Sequence, residues 1–181
     1  MKLRSIYAVA AAAVIAYTPV ANAADSKNMI AVVNIQQVMK DSTAAKSVRE
    51  QLEKKQKSFQ AGITKKEKEL KKEDQELAKQ RNVLSKEAFE KKAREFRNKA
   101  TNVQKEVQSK KALLDNAFER SLGDIQKATT EIIADLAEEK GFSVAVPTSQ
   151  ILYADSSLDI SDEVLSRLNK KLPKVNVKFD K

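Results

Sequence analysis

Cysteine, histidine and tryptophan are absent from this 181-residue chain, and glycine and proline occur only three times each. Without Cys or His there is no thiol nucleophile, no His-based triad, no zinc cluster of the usual ligands and no disulfide. Gly62, Gly123 and Gly141 stand singly, so no glycine-rich turn can lay successive N–H groups against a nucleotide phosphate. A nucleotide enzyme is thereby disfavoured. Carboxylate pairs of the glycosidase type are the remaining acid–base chemistry, and no Asp or Glu is convincingly placed for it. The pattern points to a protein that is not an enzyme, with no cofactor and no metal. Charge is what the chain has in abundance: 34 Lys plus Arg against 25 Asp plus Glu, net +9.

The first 23 residues read as an address. Lys2 and Arg4 precede an apolar run from Ile6 to Tyr17, and Ala21-Asn22-Ala23 offers small residues to a peptidase, the pattern of a cleavable secretory signal. As a helix those twelve residues would span about 18 Å, short of a ~30 Å hydrocarbon core. Cleavage after Ala23 leaves 158 residues with net charge +7. Export changes what a basic chain means. Nucleic acid, the first partner for such charge in the cytosol, gives way to anionic lipid, lipopolysaccharide and acidic unfolded polypeptide.

Residues 40–140 contain no Pro and are filled with Lys, Glu, Gln, Ala, Leu and Arg, which is helix composition. In the second half, Phe89, Ala93, Phe96, Ala100, Val103 and Val107 recur at alternating spacings of four and three, Lys110 interrupts, and Leu114 follows. That period marks a coiled-coil seam. It continues as Phe118, Leu122, Ile125, Ile132 and Leu136, the richer face of a helix packing into something larger. In the first half the stripe is Leu52, Phe59, Ile63, Leu70, Leu77 and Leu84, with Lys66, Glu73 and Gln80 at the companion seam positions. Those three polar residues predict an under-packed, flexing arm. A single helix over residues 46–140 would run about 140 Å with its stripe unburied, so a fold-back is expected. Asn82-Val83-Leu84-Ser85 is the candidate turn, with acidic Glu87 in the next first turn. Glu67–Lys71, Glu87–Lys91, Glu90–Arg94 and Glu95–Lys99 are pairs four apart in the favourable order, each a small contribution to helix stability.

The flanks are of another kind. Met29 to Ile35, Phe142 to Val146 after the expected cap Gly141, and Ile151 to Ala154 after Pro147 read as strands. Ser161-Asp162-Glu163 opens an amphipathic helix with Val164, Leu165 and Leu168 on one face, and Asp159 joins its capping acids. Val175, Val177 and Phe179 alternate in a tail that is either a further strand or a frayed end. The expected class is α+β: a split β-rich body, residues 24–39 and 141–181, carrying a helical hairpin arm over 40–140. A body of 57 residues is small for an independent core, so self-association is expected. Unpaired edges of a three- or four-strand unit, bearing Ile30, Val32, Ile35, Val144, Val146 and Leu152, would be the surface for it. Charge divides along the same boundary. Residues 40–120 hold 23 Lys plus Arg and 14 Asp plus Glu, net +9, while the rest of the mature chain is net −2.

The runs Ile30-Ala31-Val32-Val33-Asn34-Ile35-Gln36-Gln37-Val38, Gly141 to Val146, Ile151-Leu152-Tyr153-Ala154-Asp155 and Leu158 to Val164, with the charged hairpin between them, resemble the Skp or OmpH family of periplasmic chaperones across the mature chain. The resemblance implies a jellyfish-like homotrimer with a β-barrel body and three helical tentacles. Their cavity would hold unfolded outer-membrane β-barrel proteins, without ATP, and prevent aggregation in transit to the outer membrane.

The chemistry of that task can be read from the residues as well. A holdase contacts many sequences weakly, through mobile arms, dispersed apolar groups and a charge field. Lys65, Lys66, Lys68, Lys71 and Lys72 on one limb and Lys91, Lys92, Arg94, Arg97 and Lys99 on the other are the candidate anion- and client-binding cations. Their reach is about a Debye length, ~8–10 Å, which makes salt-sensitive capture the expectation. A Lys/Glu-rich helix face is ordinarily just solvated, and Phe59, Phe89 and Phe96 fit seam packing better than client contact. The competing function is an envelope adaptor docking through its hairpin, for which the tip offers only Val83 and Leu84.

Overall fold

The computed structural model describes residues 30–180; the expected signal segment lies outside them. In chain order the elements are β1 (Ile30–Val33), α1 (Ile35–Asp41), α2 (Thr43–Gln80), α3 (Lys86–Lys140), β2 (Val144–Pro147) and α4 (Ser161–Lys171). Short 3-10 turns at Thr148–Gln150 and Ser156–Leu158 join the last two.

Each helix boundary has a local cause. Asn34 accepts a bond at Oδ1 from Gln37 N (3.0 Å) and starts α1. Ser42 both ends α1, its N–H reaching Val38 O, and starts α2 by accepting from Ala45 N at Oγ (3.2 Å). Ser85 caps α3 in the same way through Ala88 N, with Glu87 in its first turn, as the sequence led us to expect. Gly141 closes α3 at φ 76°, donating its N–H to Ala137 O at 2.8 Å. Only a residue without Cβ takes that left-handed position at no cost.

At about 1.5 Å per residue, α2 and α3 are roughly 57 and 82 Å long. They run antiparallel, and the reversal occupies 81–84, where the Asn-Val-Leu-Ser reading placed it. Between Arg49 and Asn116 only Ile63 is buried; the rest of the seam is half-exposed. The core lies at the other end, where Val38, Ala44, Ala45 and Val48 meet Ile125, Ile132 and Leu136 of α3 and Val164 and Leu168 of α4.

β1 and β2 pair in parallel, Ile30 opposite Val144 through Val33 opposite Pro147. A parallel pair needs a long crossover, and here the entire helical hairpin is that crossover. On its other side β1 meets Asp159 in a single bridge, with Ile160 N donating to Val32 O at 2.9 Å. Ser161 Oγ accepts from Asn34 N at 2.7 Å and donates to Asp159, and Asn169 accepts from Thr43 N at 2.8 Å. These bonds tie α4 to the root of the arm.

Three strand expectations are corrected. The first strand stops at Val33, because the Asn34 cap turns Ile35 into helix. Residues 151–154 form no strand; Asp159 and Ile160 take the remaining edge of β1 instead, and the outer edge of β2 stays unpaired among the described residues. The body among the described residues is thus a two-stranded sheet under helices, not a three- or four-strand unit. The tail is neither strand nor frayed end; it lies extended against α2 and α3, with Val175 buried.

Candidate functional site

The polar seam residues are not holes. Lys66 pairs with Glu106, Glu73 Oε1 accepts from Lys99 Nζ at 2.6 Å, and Gln80 Oε1 accepts from Lys92 Nζ at 2.6 Å. In all three pairs the residue numbers sum to 172, one antiparallel register sustained along the arm. The seam is thinly packed, as expected, but its polar layers are bridged and not empty. Complementary polar residues occupy those layers, a device that fixes register in paired helices. Lys110, the interruption in the heptads, also belongs here. Its Nζ bonds Glu106 at 2.7 Å and lies 5.1 Å from the centre of the Phe59 ring, a cation–π distance. Lys110 and then Lys66 hold the Glu106 carboxyl below its usual range, and the bond to Glu73 raises Lys99.

The ten candidate cations divide accordingly. Lys66, Lys92 and Lys99 look across the seam. Lys65, Lys68, Lys71, Lys72, Lys91, Arg94 and Arg97 are exposed, and among the described residues none closes an ion pair. The register puts residues 65–72 opposite 100–107 and residues 91–99 opposite 73–81. The two clusters are therefore successive bands along the arm, with the α3 band nearer the tip. None of the four expected Glu–Lys or Glu–Arg helix pairs closes; Lys99 takes Glu73 instead, while Glu53–Lys57 and Glu106–Lys110 form. Shallow grooves flank the seam, one floored by Leu77 and Phe96 and another, one heptad toward the base, by Leu70 and Val103. The hairpin thus offers half-covered apolar rows edged by charge, and no deep pocket.

On the body, Ile30, Val144, Leu152 and Tyr153 are exposed, Leu152 completely so. Val146 is half-buried. Val32 is buried within the chain and Ile35 packs against its core, so those two of the six expected surface residues are already covered. β2 has no strand on its outer side among the described residues.

Two constellations escaped the sequence reading. Arg167 of α4 makes a two-pronged pair with Glu139 (2.6 Å twice) and a third bond to Glu163 (2.8 Å), which also receives Lys140 (2.8 Å). Arg167 draws the Glu139 carboxyl down; Lys140, then Arg167, does the same to Glu163. The four-residue spacing of Glu163 and Arg167 was the legible part of that signal. The other is the tail clamp. Gln51 Nε2 donates to Val175 O (2.7 Å) and its Oε1 accepts from Val177 N (3.1 Å). Arg120 holds Asp180, and Lys55 lies over the Phe179 ring. No local pattern announced it. No helix of the described residues is long and apolar enough to cross a membrane, and none of their acidic groups forms a metal cluster.

A long helical hairpin inserted between two parallel strands of a small α+β body is the class of protein these observations define. The family model for outer membrane proteins of the OmpH-like type matches residues 29–168, and the chain belongs to the OmpH-like family. Among solved structures, an OmpH-like outer membrane chaperone from Caulobacter crescentus shares the fold, with a TM-score of 0.77 over 84% of this chain and 90% of that one at 17% identity. Among curated proteins none matches.

Proposed function

We propose that this chain is an ATP-independent periplasmic holdase that binds unfolded outer-membrane β-barrel proteins between helical arms and keeps them from aggregating in transit. The observation that carries the reading is the arm of an OmpH-like chain: half-packed apolar rows along the seam and, elsewhere on the same two helices, seven exposed cations that no ion pair among the described residues neutralises. Weak, dispersed apolar contact inside a positive field suits many unfolded sequences of acidic character and commits to none.

A cavity between arms requires several copies. Exposed Ile30, Val144, Leu152 and Tyr153, together with the outer edge of β2, unpaired among the described residues, support a homotrimer formed through the body, since unpaired edges and apolar patches favour association. Anionic lipid or lipopolysaccharide would meet the same cations; nucleic acid is not a proposed partner. The adaptor reading draws on Val83 at the tip, 80% exposed, which is a narrow patch for docking a folded partner. Mass measurement of the mature chain tests the assembly: a trimer mass supports the body interface, and a monomer contradicts it. Capture is tested by suppression of client aggregation without ATP.

A further inference from the structure

The tail clamp has the chemistry of a peptide-binding site. In a parallel ladder one residue donates to the carbonyl of residue i on its neighbour and accepts from the N–H of residue i+2. Gln51 does this with its side chain, bonding Val175 O and Val177 N. Its amide is held in place by further bonds from Nε2 to Ser47 O (3.1 Å) and Oγ (3.0 Å). These contacts read backbone, not sequence. Alternate side chains then point into cover: Val175 is buried, Val177 packs on the core, and Phe179 lies under Lys55 at 5.2 Å. At the far end Arg120 takes the carbonyl (2.6 Å) and carboxylate (3.1 Å) of Asp180. The tail so held crosses from Gln51 and Lys55 of α2 to Arg120 of α3, and a shallow pocket beside Lys174–Asn176 is bordered by Asp124, Lys127 and Glu131 of α3. The family match ends at residue 168, before this segment begins.

Val175-Asn-Val-Lys-Phe179 alternates apolar and polar residues and closes on an aromatic. A transmembrane β-strand has the same pattern, alternating along its length with aromatic girdles at the interfaces. We propose that the groove framed by Gln51, Lys55 and Arg120 is a binding site for extended, alternating apolar polypeptide, and that residues 173–180 are its resting occupant, displaced by a strand segment of an unfolded client. The identity of the occupant rests on the holdase reading; the groove itself does not. Tethering gives the tail a high effective concentration, so a single foreign segment competes weakly and a long client, with many such segments, competes well.

The test is fluorescence anisotropy of a labelled nine-residue peptide of alternating valine and asparagine ending in phenylalanine, added to the full mature chain. Val177→Pro removes the N–H that Gln51 accepts and frees the groove. Peptide affinity rises about tenfold if the tail occupies the site nine-tenths of the time. Adding Gln51→Leu to that variant removes the gain, and a peptide with its valines in one block binds weakly to all forms. Equal affinity of the wild type and Val177→Pro, or of Val177→Pro with and without Gln51→Leu, overturns the proposal. Because the chain lacks tryptophan, Phe179→Trp gives an independent readout in an otherwise native chain. Its emission shifts to that of a solvent-exposed tail as the alternating peptide is added, and an unshifted spectrum at millimolar peptide again overturns the proposal. Aggregation suppression is measured beside it: suppression without displacement removes this site and leaves the holdase, and displacement without suppression does the reverse.

Discussion

Arg167 is one centre of acid sensitivity in the fold. Its partners Glu139 and Glu163 have carboxyls held below their unfolded range, so both favour folding at neutral pH. That stabilisation is lost as pH falls from the unfolded carboxylate range, about 4.3, through the lower folded values. The urea midpoint should therefore fall as pH drops from 6 toward 3. Arg167→Gln should lower it at pH 7 and flatten the dependence; both effects are modest because the groups are exposed. A profile identical in the two proteins contradicts the assignment. Core residues carry larger effects. Leu136 is fully buried among α2 and α4 contacts, so Leu136→Ala should cost about 2–5 kcal/mol in urea unfolding. Gly141→Ala, forcing a Cβ at φ 76°, should cost about 1–2 kcal/mol.

At the scale of the elements, what was legible in the sequence was what is local. Composition and heptad spacing located both limbs, and Asn82 to Ser85 marked the reversal, because caps and periodicity act within a few residues. Register was not legible. A tight fold-back centred on 82–85 would set Lys66 against Thr101, whereas its partner is Glu106, five residues further on. The polar pairs Lys66–Glu106, Glu73–Lys99 and Gln80–Lys92 share that offset, and they meet only after the chain has turned. The strand reading of 151–154 failed because pairing is non-local: the remaining edge of β1 is taken by a residue of another segment, Asp159, and 151–154 does not pair with the open edge of β2. The candidate cations were identifiable as types and Lys66 as a seam residue; that Lys92 and Lys99 also reach across the seam was not. Glu73→Lys should set two cations together at the Lys99 layer, lower arm helicity on heating and speed amide exchange between 66 and 106. Combining it with Lys99→Glu should restore both. Failure of the reversed pair to recover would show that this layer does not depend on charge complementarity.

The whole molecule separates a packed root from a thinly packed arm. Buried residues gather where α1, α2, α3 and α4 meet, and Ile63 alone is buried between Arg49 and Asn116. Local opening follows such differences in burial, so arm amides near residues 70–100 should exchange much faster than those at 125–136. Uniform protection would contradict a mobile arm. The same division sets the charge, with net +9 over residues 40–120 and a slightly acidic remainder from residue 24 onward. The central claim, that this division serves to hold unfolded chains, is tested by light scattering after a urea-unfolded outer-membrane β-barrel protein is diluted into buffer with residues 24–181, without ATP. The account predicts suppression near one oligomer per client, weakened in half-molar salt as the cations are screened. Aggregation unchanged by the protein would contradict the holdase and direct attention to a folded partner at the hairpin tip.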